Sequence, residues 1–218
     1  MTAETLIFPL GHYMGEFYPK TGAPMKYRRL RLGVGVPQLK DDPHFTMWAM
    51  THGLPEPMGQ TPWTREAAIE AAGRMGMSNA EQLTDDLKAD GAVAEVTLGT
   101  PAAVEFARTH RLLPLMMGLG NTPEDRLRFG IGFVGTPPAV KVDSFVFEIW
   151  QWSRLHLNLW QTAQEFAKVE QKFPSGKPDS SPEGMLGEIL SRLHVLLAAN
   201  AAYVDQSLEG AATEEVRD

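Results

Sequence analysis

Bulky apolar residues alternate with glycine or arginine over Arg29-Leu-Arg-Leu-Gly-Val-Gly-Val36, and the same alternation returns over Arg126-Leu-Arg-Phe-Gly-Ile-Gly-Phe133. Successive side chains of an extended chain point to opposite faces, so this period of two predicts a half-buried strand at each place. Five of the eight positions are identical. Downstream, Phe45-x-x-Trp48 is matched by Phe147-x-x-Trp150, each opening a helical stretch. Second helices follow from Trp63 and Trp160. Then Leu83-x-x-x-Leu87 and Leu193-x-x-x-Leu197 lead to a helix stop and an apolar strand. Pairings in the same order predict two divergent copies of one unit. Their length differences fall in loops, the largest being Phe173–Pro182, dense in turn residues.

The first copy reads as a strand over 29–36, a helix near 43–52, a Pro- and Gly-rich loop through Pro62, and helices near 64–75 and 79–90. Ser78-Asn-Ala-Glu81 has the spacing of a capping box, in which serine and glutamate satisfy free amides at a helix start. Gly91 stops that helix, and Ala92–Val96 is the strand expected to open a β-hairpin. Between the copies, Thr109–Leu115 reads as a helix ending before Pro114. Pro9-Leu10-Gly11 and Pro114-Leu115 offer a further match, too short to align on. The last helix, from about Pro182 to Asn200, has Ser181 at its start and a broad apolar stripe through Met185, Leu186, Ile189, Leu190, Leu193, Leu196 and Leu197.

A strand, three helices and a β-hairpin in this order resemble a winged helix. The resemblance covers residues 27–100 and extends more loosely to 124–208, with no diagnostic short motif. It implies an α+β fold of two winged-helix-like units, each led by a strand or small β-hairpin. The expected divisions are 1–100, a connecting helix and loop over 101–123, a second unit over 124–208, and an acidic tail at 209–218. Winged helices place their third helix in the DNA major groove or serve as rigid protein adaptors, so the resemblance implies regulation or assembly.

Composition narrows this. With 43% hydrophobic and 22% charged residues in 218, the chain has a core to bury. The absence of cysteine removes disulfides, thiolate metal sites and thiol nucleophiles. Nowhere do eighteen apolar residues run together, and Met1-Thr-Ala-Glu4 is not a basic start to an apolar run, so a cytoplasmic protein without membrane contact is expected. The net charge of −7 opposes diffuse attraction to nucleic acid, although cations exceed acids over 1–40.

Candidate chemistry is sparse. The six histidines have no metal-ligand spacing, no serine sits in a nucleophile elbow, and Gly33-Val-Gly35 and Gly130-Ile-Gly132 lack the third glycine of a dinucleotide loop. No catalytic residue, metal or cofactor is therefore assigned, and a non-enzymatic role is favoured while the enzyme class stays open. Most of the tryptophans read as buried anchors, with a ligand stacked between them as the alternative. The third helix carries Glu81, Asp85, Asp86 and Asp90 against Lys88, which phosphate would repel and a protein partner could meet. The set able to face DNA is Lys26, Arg28, Arg29, Arg31, Arg126 and Arg128, provided both strands turn their arginines the same way. Protein contact is expected first, DNA second, and a small ligand or unrecognised active site third. The oligomeric state cannot be read from this pattern.

Overall fold

In a computed structural model, residues 4–55, 62–176 and 179–207 are described. Four strands, three helices and a closing strand occur twice. The first set is β1 (Thr5–Pro9), β2 (His12–Phe17), β3 (Tyr27–Arg31), β4 (Gln38–Leu39), α1 (Asp42–Met50), α2 (Arg65–Arg74), α3 (Ala80–Ala89) and β5 (Val93–Thr97). Helix α4 (Pro101–Thr109) leads to the second: β6 (His110–Pro114), β7 (Met117–Gly120), β8 (Phe129–Gly132), β9 (Val140–Val142), α5 (Ser144–Trp152), α6 (Leu159–Lys172), α7 (Pro182–Ala198) and β10 (Ala202–Gln206). A short 3₁₀ turn, Ser153–Leu155, separates α5 from α6. In both sets the first strand pairs antiparallel with the last, and the middle three form their own antiparallel sheet. The fold is mixed α+β.

Equivalent helices start alike because the same kind of cap satisfies their free amides. Asp41 accepts from His44 N to start α1, and Asp143 accepts from Val146 N to start α5. Thr64 and Asn158 do the same for α2 and α6. Trp63 therefore precedes its cap whereas Trp160 follows its own, so the two are not equivalent residues. Helix α3 starts at Asn79 without a side-chain cap, so the capping box expected from Ser78 and Glu81 does not form. At the far ends, Ala92 N donates to Leu87 O and Ala201 N to Leu196 O. Gly91 (φ 70°) and Asn200 (φ 52°) take the left-handed turn between helix and strand. Leu87 thus matches Leu196, one residue from the expected Leu197.

The words that suggested the duplication are themselves out of register. Tyr13 pairs with Leu30 and Arg28 with Leu39, while Gly118 pairs with Ile131 and Phe129 with Val142. Leu30 corresponds to Ile131, both fully buried, whereas Leu127 is 82% exposed. Strand β3 stops at Arg31 because Leu32 and Gly35 exchange backbone hydrogen bonds around a tight turn, with Gly33 at φ 58°. In the second copy Arg126 and Leu127 lie in the turn before β8.

Two further expectations are corrected. Residues 110–114 are strand β6: the open edge of β10 provides hydrogen bonds that a longer α4 would forgo, and Leu112 is buried there. Connector 101–123 therefore contains β6 and β7 of the second copy. The strand after α3 opens no hairpin, because β5 pairs back onto β1 and runs into α4, placing Val93 and Val96 in the core. The tail at 209–218 lies outside the described residues.

The copies share a strand. Ile7 packs with Leu30, Met47, Trp48, Trp63, Leu83, Leu87 and Val93, while Leu6, Phe8 and Leu10 pack with Ile131, Ile149, Trp150, Leu193 and Leu197. Alternation thus sends successive residues of β1 into two cores. His194 of α7 donates through Nε2 to Ile7 O at 2.7 Å, and Gly11 N donates to Val204 O at 2.8 Å, tying the copies together. All seven residues expected at equivalent core points (Trp48, Leu83, Leu87, Val93, Trp150, Leu193 and Leu197) are buried.

Candidate interaction surface

The six basic residues do not make one face. Arg28 lies on the face of β3 toward α1, where it bonds Glu16 at 3.0 Å and Asp42 at 2.5 Å and sits 4.7 Å above the Phe45 ring. Arg29 and Arg31 share the other face, as alternation requires. Arg29 lies 5.5 Å over the Phe17 ring, and Arg31 binds Asp205 and the Tyr203 hydroxyl. Arg126 and Arg128 are exposed on the turn before β8 rather than on a strand, and Arg128 donates to Lys141 O at 2.6 Å. Lys26 is exposed beside β3. Two of the strand guanidiniums are thus already matched to carboxylates of this chain.

The acidic set on α3 is similarly engaged. Asp85 meets Arg65 at 2.8 Å, Asp90 meets Lys40 at 3.2 Å, and Asp86 lies 3.7 Å from His44 while accepting from Gln82. Glu81 remains exposed at the first turn. Exposed pairs of this kind contribute little each, but they lower the negative charge the helix shows to a partner.

A charged group not anticipated from the sequence governs the join between the copies. Asp205 of β10 is fully buried. Its Oδ1 accepts from Gly33 N at 2.7 Å and Gln206 N at 3.0 Å, and its Oδ2 faces Arg31 at 3.2 Å and Arg111 at 3.4 Å. A buried carboxylate persists only when its lone pairs are satisfied in this way. The legible signal was a lone acid in Ala-Ala-Tyr-Val-Asp, an otherwise apolar strand.

This carboxylate clamps the 32–35 turn of the first copy against the end of β10. Gly33 takes the left-handed region at φ 58°, which favours glycine, and a Cβ there would press on Gln206 Cβ at 3.1 Å. Held there, the turn projects Val34 (89% exposed) and Val36. On the same strand end, Ser207 donates to Leu157 O at 3.2 Å, and the 3₁₀ turn packs on β6, leaving Leu155 and Leu157 exposed. Four exposed aliphatic side chains therefore sit on the two segments, 32–36 and 155–157, that bond to residues 205–207.

No family model, curated protein or solved structure matches this chain. Among the described residues no group of His, Asp and Glu is arranged to hold a metal ion, and no helix is long and apolar enough to cross a membrane.

Proposed function

We propose that the chain is a non-enzymatic regulatory or assembly protein that works by protein contact, through the exposed aliphatic side chains of these two segments. The observation that carries this reading is the clamped turn: Asp205, Arg31 and Gly33 hold Val34 out in water at 89% exposure. A fixed apolar projection lowers the ordering cost of association. Without the hairpin after α3 the winged-helix resemblance is reduced to three helices between strands, and it adds little to this reading. The acidic face of α3 becomes secondary, since Arg65, Lys40 and His44 already face three of its four acids.

Direct DNA binding is the weaker reading, because phosphate would have to compete with Glu16, Asp42 and Asp205 for Arg28 and Arg31. The test is paired capture from the native lysate on immobilised wild type and on V34D/L157D. A partner lost from the double variant but retained by E81Q/D85N supports the aliphatic segments. A partner with the opposite dependence supports the acidic helix, and one indifferent to both sinks the proposal.

A further inference from the structure

A separate opening lies between the copies, where the β1–β2 corner and α1 meet Leu115 and the α7–β10 corner. It is a cavity of about 480 Å³. Tyr13, Phe45 and Trp48 line one part as a ring cluster, with Tyr13 and Phe45 centroids 5.1 Å apart and Phe45 and Trp48 6.3 Å apart. His12 and Tyr203, stacked at 4.8 Å, line another. The lining also includes the small residues Ala49, Gly53, Ala198 and Ala202.

The polar groups here are few and differ in kind. His52 Nδ1 lies 3.1 Å from Trp48 O. A carbonyl only accepts, so Nδ1 carries the proton and Nε2 keeps its lone pair. Burial holds this ring neutral by lowering its pKa to about 4. Asn200, at the cavity's edge, makes no side-chain hydrogen bond to the described residues, and neither does His12. The nearby cations Arg28 and Arg31 are matched to Glu16, Asp42 and Asp205, so a carboxylate or phosphate would find no unmatched guanidinium among them.

We propose that this cavity binds an uncharged planar heteroaromatic molecule of nucleobase size that carries an N–H beside a C=O. Flat rings stack on aromatic faces. The lone pair of His52 receives the N–H, and the amide of Asn200 donates to the C=O. The volume falls within the range of small-molecule sites, which are mostly apolar with a small number of placed polar groups.

The test uses the full chain and ligand-observed saturation-transfer NMR with uracil and hypoxanthine as probes, and 1,3-dimethyluracil and tetramethylammonium as comparators. Both bases should bind, and 1,3-dimethyluracil should bind about tenfold more weakly for want of N–H donors. A49L narrows the cavity and should abolish the signal, while H52F keeps a ring but removes the acceptor and should cost about tenfold. Thermal melts confirm that each variant is folded. Silence from both bases at about 10 mM, a site that prefers tetramethylammonium, or equal binding of uracil and its dimethyl form overturns the proposal. The last comparison needs no variant.

Discussion

Trp48 and Trp150 occupy the same place in the two copies, each seven residues past an aspartate cap and each donating its indole N–H to a backbone carbonyl at a strand junction. Trp48 reaches Leu10 O at 3.3 Å, and Trp150 reaches Ala201 O at 3.0 Å. Leu10 N in turn donates to Ala92 O, and Leu115 N to Ala201 O. Each indole therefore secures the crossing of its copy's first and last strands. Truncating either to alanine should cost about 3–5 kcal/mol through lost packing and the cavity left behind. Replacement by phenylalanine, which keeps a ring but removes the indole donor, should cost less. Urea denaturation of the four variants measures both, and unchanged midpoints would contradict the shared role.

Asp205→Asn leaves Arg31 and Arg111 without their carboxylate and should destabilise by about 3 kcal/mol, the lower end for a broken buried pair because Arg31 is partly open to water. The same change should loosen the 32–35 turn. Faster amide exchange at Gly33 and Gly35 than in the wild type would be its signature, and unchanged exchange would remove the clamp from the account.

Two histidines make stability depend on pH. Burial lowers the pKa of both His52 and His194 from 6.5 to about 4. Above pH 6.5 both are neutral folded or unfolded, and their environments cost nothing. Between pH 6.5 and 4 the unfolded chain takes up protons that the folded chain refuses, so stability falls as pH falls. The full effect is about 3 kcal/mol for the buried His194 and less for His52, which is only partly sealed from water. His194→Gln should flatten the dependence across that window. A wild-type melting temperature flat from pH 7 to 4.5 would refute it.

A labelled DNA duplex titrated at low and moderate salt should show no tight binding, because Arg28 and Arg31 are paired with carboxylates of the chain and the basic residues do not share one face. Should tight, salt-sensitive binding appear, serine at Arg29, Arg31, Arg126 and Arg128 tests the basic set directly, and loss of binding would restore the DNA reading.

Local pattern carried much of the fold. Four of the helices stood close to their expected bounds, since an amphipathic stripe, a cap such as Asp41 or Ser181, and a stop such as Gly91 all act within a few residues. The recurrence of elements was legible for the same reason. What local pattern could not decide was register and pairing. Arg29–Val36 and Arg126–Phe133 share their letters, yet one continues from a strand into a turn and the other from a turn into a strand. The choice rests with Tyr13 and Gly118 on neighbouring strands. His110–Pro114 became a strand because β10, nearly a hundred residues away, offers an edge for it. The arginines and acids were visible as charge, but whether each is available depends on partners such as Asp205 and Arg65, brought close only by packing. By itself the sequence determined most of the helices and the anchoring side chains of the core. Tertiary structure alone decided which strands meet, which charges cancel, and where a cavity opens between the copies, because those energies arise between residues that the chain separates.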